Sequence, residues 1–227
     1  IVIPSNNRTE LLDQAILSII SELGWNSNCE LCISDNSEGD ETANLVNTKY
    51  NGSSQIVYRR SLDAPSLDEN VNMAVSMASG EYVWIFGDDD LIVEGFLAEL
   101  IAYLDNTSPD ITVLNSCSFQ EQGQVEVSRR SLNSLTVYNP NDNDSFMIDH
   151  GGYLTYVGCI VIRKRLWVKY FCPEKVGTFF AHLDVVCRAK IGHTAHYLPC
   201  PAIKMRLHMQ TWTAKHFEIW NIYFPEV

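Results

Sequence analysis

The first ninety residues constrain the fold more than any other stretch, because short apolar runs and helical stripes take turns along them. Ile1 to Pro4 reads as a strand, closed by Pro4. Leu11, Leu12, Ala15, Ile16, Ile19, Ile20 and Leu23 then recur in steps of one and three, the spacing of one apolar helix face, and Gly24 stops the pattern. Glu30 to Ser34 is a second strand, Thr42 to Tyr50 a helix, and Gln55 to Arg59 a third strand. Leu67, Val71, Ala74, Val75 and Ala78 mark another helix, ended by Gly80, and Tyr82 to Phe86 is a further strand. Such alternation predicts an α/β fold: a Rossmann-like, mostly parallel sheet flanked by helices on both faces.

The last of these strands leads into Asp88-Asp89-Asp90. The carboxyl edge of an open α/β sheet is where ligands bind. Two like charges about 4 Å apart repel by roughly 4 kcal/mol at an effective dielectric near 20. Three in a row therefore need water, protonation or a cation, and oxygen ligands favour hard Mg²⁺ or Mn²⁺. A solvated acidic turn is the plain alternative. No Gly-x-Gly-x-x-Gly cradle is present, so phosphate binding calls for another device, and a metal at the triplet would be one.

A net charge of −12, from 28 acidic and 16 basic residues, argues against a broad nucleic-acid-binding surface. It leaves a nucleotide ligand open, because a metal supplies positive charge locally. Seven cysteines, an odd number scattered through apolar segments, fit small reduced thiols in a cytosolic protein. Cys29 and Cys32 have redox or zinc spacing but lie in a predicted strand with no second pair. No apolar run approaches the ~20 residues that span a bilayer. The chain enters partway into a strand without an initiator Met, which leaves an upstream signal or anchor open.

Beyond Asp90 the pattern predicts a helix over 93–104, a strand over 110–119, a hairpin around Gly123 within 120–134 and a polar loop over 139–144. A buried strand over 153–162, a short helix over 163–170, a helix over 179–191 stopped by Gly192, and a strand over 195–198 follow. The tail carries Trp212, Phe217, Trp220, Tyr223 and Phe224. These elements divide one domain into a nucleotide-binding half, 1–104, and an acceptor half, 105–227.

Four segments resemble the family 2 glycosyltransferases of the GT-A fold: Ile3-Pro4-Ser5-Asn6-Asn7-Arg8, Ile33-Ser34-Asp35-Asn36-Ser37, Ala78-Ser79-Gly80-Glu81-Tyr82 and Asp88-Asp89-Asp90. Within that family the chain is most similar to enzymes of bacterial surface polysaccharides, such as abequosyltransferase-like proteins. The resemblance implies that Pro4, Ser5, Asn6, Arg8, Asp35, Ser37, Asp88 and Asp89 bind the nucleotide. Asp35 would meet the donor's base, uracil or cytosine alike; its other reading is an Asx-type turn or helix cap. Ser34 stands where many relatives carry another Asp. Asp90 and Asp88, with His208, would hold the Mn²⁺ or Mg²⁺ that neutralises the departing diphosphate, and Arg206 would contact the diphosphate. Inverting transfer also needs a base on the acceptor side. Asp184 is the only acid from Phe179 to Arg188 and is preferred, yet the family spacing to Arg188 falls nearer His182. Either residue could instead cap a helix.

The reaction so implied moves a sugar from a UDP-, CDP- or GDP-linked donor to a saccharide or lipid-linked saccharide, in O-antigen or other polysaccharide biosynthesis. The location it implies is cytoplasmic, with peripheral association at the inner membrane face open. Two competitors remain. A nucleotidyltransferase would want a Gly- and basic-rich loop where Ser5-Asn6-Asn7-Arg8 offers one Arg; a non-catalytic sugar- or Ca²⁺-binding module would use the acidic turn alone.

Overall fold

A computed structural model of the chain describes residues 1–23, 28–119, 127–128, 132–207 and 216–226. The first half is β1 (Val2–Ser5), α1 (Thr9–Leu23), β2 (Leu31–Asp35), α2 (Glu41–Lys49), β3 (Ile56–Arg60), α3 (Leu67–Met77) and β4 (Tyr82–Trp84). The predicted alternation is present, with ends shifted by one or two residues. β1, β2 and β3 pair in parallel, with Ser5 opposite Asp35 and Asp35 opposite Arg60, so all three strands end at one edge. α1 buries Leu12, Ala15, Ile16 and Ile19 against Ile3, Leu31 and Ile33. Each of these leucine and isoleucine side chains contributes about 1.5–3 kcal/mol by leaving water.

The second half comprises β5 (Leu91–Ile92), α4 (Phe96–Thr107), β6 (Ile111–Phe119), β7 (Val127–Ser128), β8 (Thr136–Tyr138), α5 (Asn143–His150), β9 (Ile160–Arg163), α6 (Lys164–Tyr170), α7 (Ala181–Lys190) and β10 (Ala195–Arg206). Its sheet runs β4-β9-β6-β10-β5, with β10 parallel to β6 and β9 antiparallel to both neighbours. A parallel bridge between Val2 and Ile85, with Phe86 N–H donating to Val2 O at 2.9 Å, joins it to β1. Both apolar clusters draw residues from either side of position 104.

The structure departs from expectation in four places. The strand expected over 153–162 is two single 3-10 turns, Tyr153–Thr155 and Val157–Cys159, and pairing starts only at Ile160. Tyr156 N–H donates to Tyr153 O at 3.0 Å, and the tyrosine hydroxyls find polar partners elsewhere. The polar loop expected at 139–144 opens α5, whose start is shaped by Asn139 N–H donating to Asp142 Oδ2 at 2.7 Å. Before α4, Leu91–Ile92 pair antiparallel with β10, and the helix begins at Phe96 after Gly95, at φ 79°. β10 runs to Arg206 rather than ending at Leu198. Its pairing with β6 slips on both sides of Pro201, because prolines lack the N–H a ladder needs and the extra residues are carried as irregularities in β10. The turn of the hairpin expected near Gly123 lies outside the described residues; Val127 and Ser128 pair antiparallel with Ser118 and Cys117. Gly24 and Trp212 also lie outside them. All seven cysteines are free, and no helix among the described residues is long and apolar enough to cross a membrane.

Candidate active site

β4 delivers the acidic triplet to the edge where β1, β2 and β3 end. After Phe86 the chain turns sharply at Gly87, with Asp90 N–H reaching back to Gly87 O at 3.4 Å. A Cβ at Gly87 would lie 2.7 Å from Asp90 Oδ2, so the turn requires glycine. The three carboxylates then diverge. Asp88 accepts from Ser5 Oγ and Arg8 Nη1, both at 3.0 Å, and the same Nη1 donates to Asp89 Oδ2 at 2.7 Å. Asp90 accepts from Tyr156 OH at 2.5 Å on Oδ2 and from Arg206 N–H at 3.2 Å on Oδ1. Arg206 also donates through Nε to Asp89 O at 3.0 Å and through Nη2 to Gln14 Oε1 at 2.7 Å, with its guanidinium over the Phe119 ring. The long β10 strand is what brings Arg206 here.

Burial, more than mutual repulsion, makes Asp88 and Asp90 reluctant anions. Asp88 is pushed up to about 6 by burial, with Arg8 opposing and Asp89 adding to the shift. Asp90 is pushed up to about 7 by burial and the Asp89 charge, against its hydrogen bonds from Tyr156 and Arg206. Burial works against the Arg8 charge, but Asp88 and Asp89 overcome it and hold its pKa above the ordinary value. The Tyr156 hydroxyl, buried beside Asp90, is pushed well above its ordinary range and stays a donor.

This donor set fits a hard cation held by one or two carboxylates and completed by phosphate oxygens and water. Among the described residues no three His, Cys, Asp or Glu side chains gather into a cage of their own. His208, expected as a ligand, lies outside the described residues.

The β1 and β2 turns are stitched to one another. Asp35 is fully buried: Oδ1 accepts from Ser37 N–H at 2.9 Å and Oδ2 from Tyr58 OH at 2.7 Å. It builds the turn, which is one of its two expected readings. Ser37 Oγ accepts from Asn7 N–H at 2.7 Å, and Asn6 Nδ2 donates to Asn36 Oδ1 at 2.9 Å. Asn70, on α3, donates to Ser5 O and Asn36 Oδ1 and accepts from Ser34 Oγ. Pro4 is buried in β1 opposite Ser34. Asn6 faces solvent, while Arg8 and Asp89 are half-buried at the rim.

The two base candidates do not share a face. They lie two residues apart on α7, about 200° around a helix of 3.6 residues per turn. His182 is buried, with Nε2 3.2 Å from Leu154 O; since a carbonyl only accepts, Nε2 carries the proton. Burial pushes its pKa down to about 4. Leu154 is two residues before Tyr156, so His182 faces the segment that holds Asp90. Asp184 points to Arg188, whose Nε donates to Oδ1 at 2.9 Å, leaving buried Oδ2 without a hydrogen bond of proper geometry despite its 2.8 Å approach.

Tyr156, Tyr58, Gln14, Asn70 and Asp68 were not legible as site residues. Tyr156 had one faint signal: a Cβ at Gly158 would lie 2.5 Å from its hydroxyl, so a glycine two residues on lets the ring fold back.

The sequence model of glycosyl transferase family 2 matches residues 1–170, and the chain belongs to that family. It is 31% identical over 220 residues to abequosyltransferase RfbV of Salmonella typhimurium, covering 90% of this chain and 65% of that protein. It is 26% identical over 126 residues to the Campylobacter jejuni GalNAc(5)-diNAcBac-PP-undecaprenol beta-1,3-glucosyltransferase, covering 55% and 40%. The fold is that of Staphylococcus aureus TarS residues 1–349 solved in complex with UDP: TM-score 0.71 at 17% identity, covering 91% of this chain and 59% of that one. The chain thus spans less than two thirds of these relatives, and its architecture is the GT-A fold.

Proposed function

We propose that this chain is the donor-binding and catalytic part of an inverting glycosyltransferase of surface-polysaccharide assembly. It moves a sugar from a nucleoside diphosphate onto a hydroxyl of a saccharide or lipid-linked saccharide. One observation carries the reading: an acidic triplet at the carboxyl edge of the sheet, with Asp88 and Asp90 buried and the whole wired to Ser5, Arg8, Tyr156 and Arg206, in a chain of family 2. The kinship to an abequosyltransferase and to an undecaprenol-linked glucosyltransferase supports the substrate class.

Asp90 and Asp88 would hold Mg²⁺ or Mn²⁺, which supplies Lewis-acid neutralisation of the leaving diphosphate. Arg206 fixes the triplet's backbone and Asp90 from one side, while Ser5 and Arg8 orient Asp88 from the other. His182 is the base in this reading, supported by its position. It faces the Tyr156 segment, and its protonated Nε2 leaves the Nδ1 lone pair to accept the hydroxyl proton. Asp184, on the opposite side of α7, is the second candidate, its carboxylate paired with Arg188.

Calorimetric titration of the full-length protein with UDP, CDP and GDP, with and without Mn²⁺, tests the class. Tighter nucleoside diphosphate binding with Mn²⁺ is expected, followed by nucleoside diphosphate release from a sugar donor detected by mass spectrometry. Ca²⁺ binding without nucleotide would make the chain a binding module, and pyrophosphate release from a triphosphate would make it a nucleotidyltransferase.

A further inference from the structure

α7 carries both base candidates, yet its own N-terminus is uncapped: Phe180, the residue before it, makes no side-chain capping bond. The cap comes from a different helix. Asp68, in the first turn of α3, is 3% exposed and turns its carboxylate away from its own helix. α3 does not need it, because Ser66 and Glu69 already close a capping box there. Asp68 Oδ2 accepts from Gly177 N–H at 2.8 Å and Phe179 N–H at 2.9 Å, and Oδ1 from Ala181 N–H at 3.2 Å. Alternate amides of one loop thus converge on one carboxylate.

The loop's conformation matches that convergence. Gly177 and Phe179 sit at φ 92° and 69°, and a left-handed Phe is strained unless its surroundings hold it. Ala181 opens α7, so the carboxylate also meets the positive end of that helix. Burial outweighs these amide bonds and raises the Asp68 pKa. Two residues along α3, Asn70 grips Ser5 O and Asn36 Oδ1 at the turns beside the triplet. One helix therefore ties the donor edge to the first residue of α7, immediately before His182.

We propose that Asp68 is a positioning residue, anchoring the start of α7 so that its base stands in register with the donor edge. The catalytic part of this inference rests on the glycosyltransferase reading above; the anchoring part does not. Asp68→Asn in the full-length protein keeps the shape but replaces one acceptor oxygen with a donor amide, and Asp68→Glu keeps the charge at the wrong reach. Both should bind the parent's preferred nucleoside diphosphate within twofold of the parent, while kcat falls by about 10²-fold, the scale of an ångström's misplacement. Amide hydrogen exchange should rise in 177–182 and nowhere else.

Unchanged exchange in that segment, or increased exchange with kcat kept, overturns the proposal. So does a kcat loss that merely follows a drop in donor binding. If the parent transfers no sugar from any donor, the glycosyltransferase reading fails, and the exchange measurement still decides the anchor. Asp68→Ala is the harsher variant, read by exchange only if it folds.

Discussion

Replacing Arg8 by Gln removes the guanidinium that bridges Asp88 and Asp89 while keeping an amide donor on a shorter stem. The size of the effect follows from the two contacts. Asp88, at about 6 in the presence of Arg8, is mostly ionised at pH 7, which contributes about 1 kcal/mol relative to its neutral form. Without Arg8 the buried carboxyl stays protonated and that contribution is lost. The Asp89 contact lies at the rim, with its side chain 20% exposed, and adds about 1 kcal/mol at most. Arg8→Gln should thus destabilise the fold by about 2 kcal/mol at pH 7.

The pH dependence is the sharper test. Asp88 has a folded pKa above its unfolded value, so the folded state holds the extra proton and loses stability as pH rises. In the variant that pKa is higher still, so its stability keeps falling where the parent's levels off, by up to about 1.4 kcal/mol per pH unit above 6. Urea unfolding at pH 5, 7 and 8 should show a gap of about 1 kcal/mol or less, then about 2, then more than 3. Equal midpoints at pH 8, or a gap that does not change from pH 5 to 8, would refute the counter-ion role.

Asp90→Asn should keep the fold and gain stability over the parent as pH rises from about 4 to about 7, holding that gain above 7, because the parent's carboxyl ionises more readily unfolded than buried, while Mn²⁺-supported donor binding in calorimetry weakens. Binding equal to the parent's removes Asp90 from the site. Asp35→Ala leaves Ser37 N–H and Tyr58 OH unpaired and should cost about 1–3 kcal/mol in denaturation. If it also weakens metal-free nucleoside binding, Asp35 meets the base as well as building the turn. His182→Gln should lower transfer by about 10²–10⁴-fold with donor binding kept, and Asp184→Asn should lower it far less. The reverse order assigns the base to Asp184, and loss in neither places it on another element.

The first half of the fold was legible because its strands and helices are set by local periodicity, from Leu11 through Ala78. The carboxyl-edge acids were legible because they follow directly from one buried strand. What escaped the sequence was held by distant partners. Tyr153 to Cys159 is apolar enough for a strand, but its backbone closes on itself and Tyr156 spends its hydroxyl on a residue 66 positions away. β10 was read as ending at Leu198 because two prolines follow, and only the pairing with β6 shows that the strand bulges and continues. Asp68 resembles any first-turn acid until the loop at 177–181 folds onto it. The base pair was ambiguous because spacing counts residues, whereas α7 sends two neighbours to opposite sides.

The partners of the triplet also set an order of events during synthesis. Asp90 leaves the ribosome 66 residues before Tyr156 and 116 before Arg206. At 5–20 residues per second, Arg206 follows roughly 6 to 23 s later. Through that interval Arg8, already made, is the described cation that meets the acidic edge, so a nascent chain with Arg8 replaced leaves Asp88 and Asp89 without that partner. The same change that costs a finished molecule about 2 kcal/mol should therefore lower the yield of folded protein more than equilibrium stability accounts for, and most of all when translation is slow.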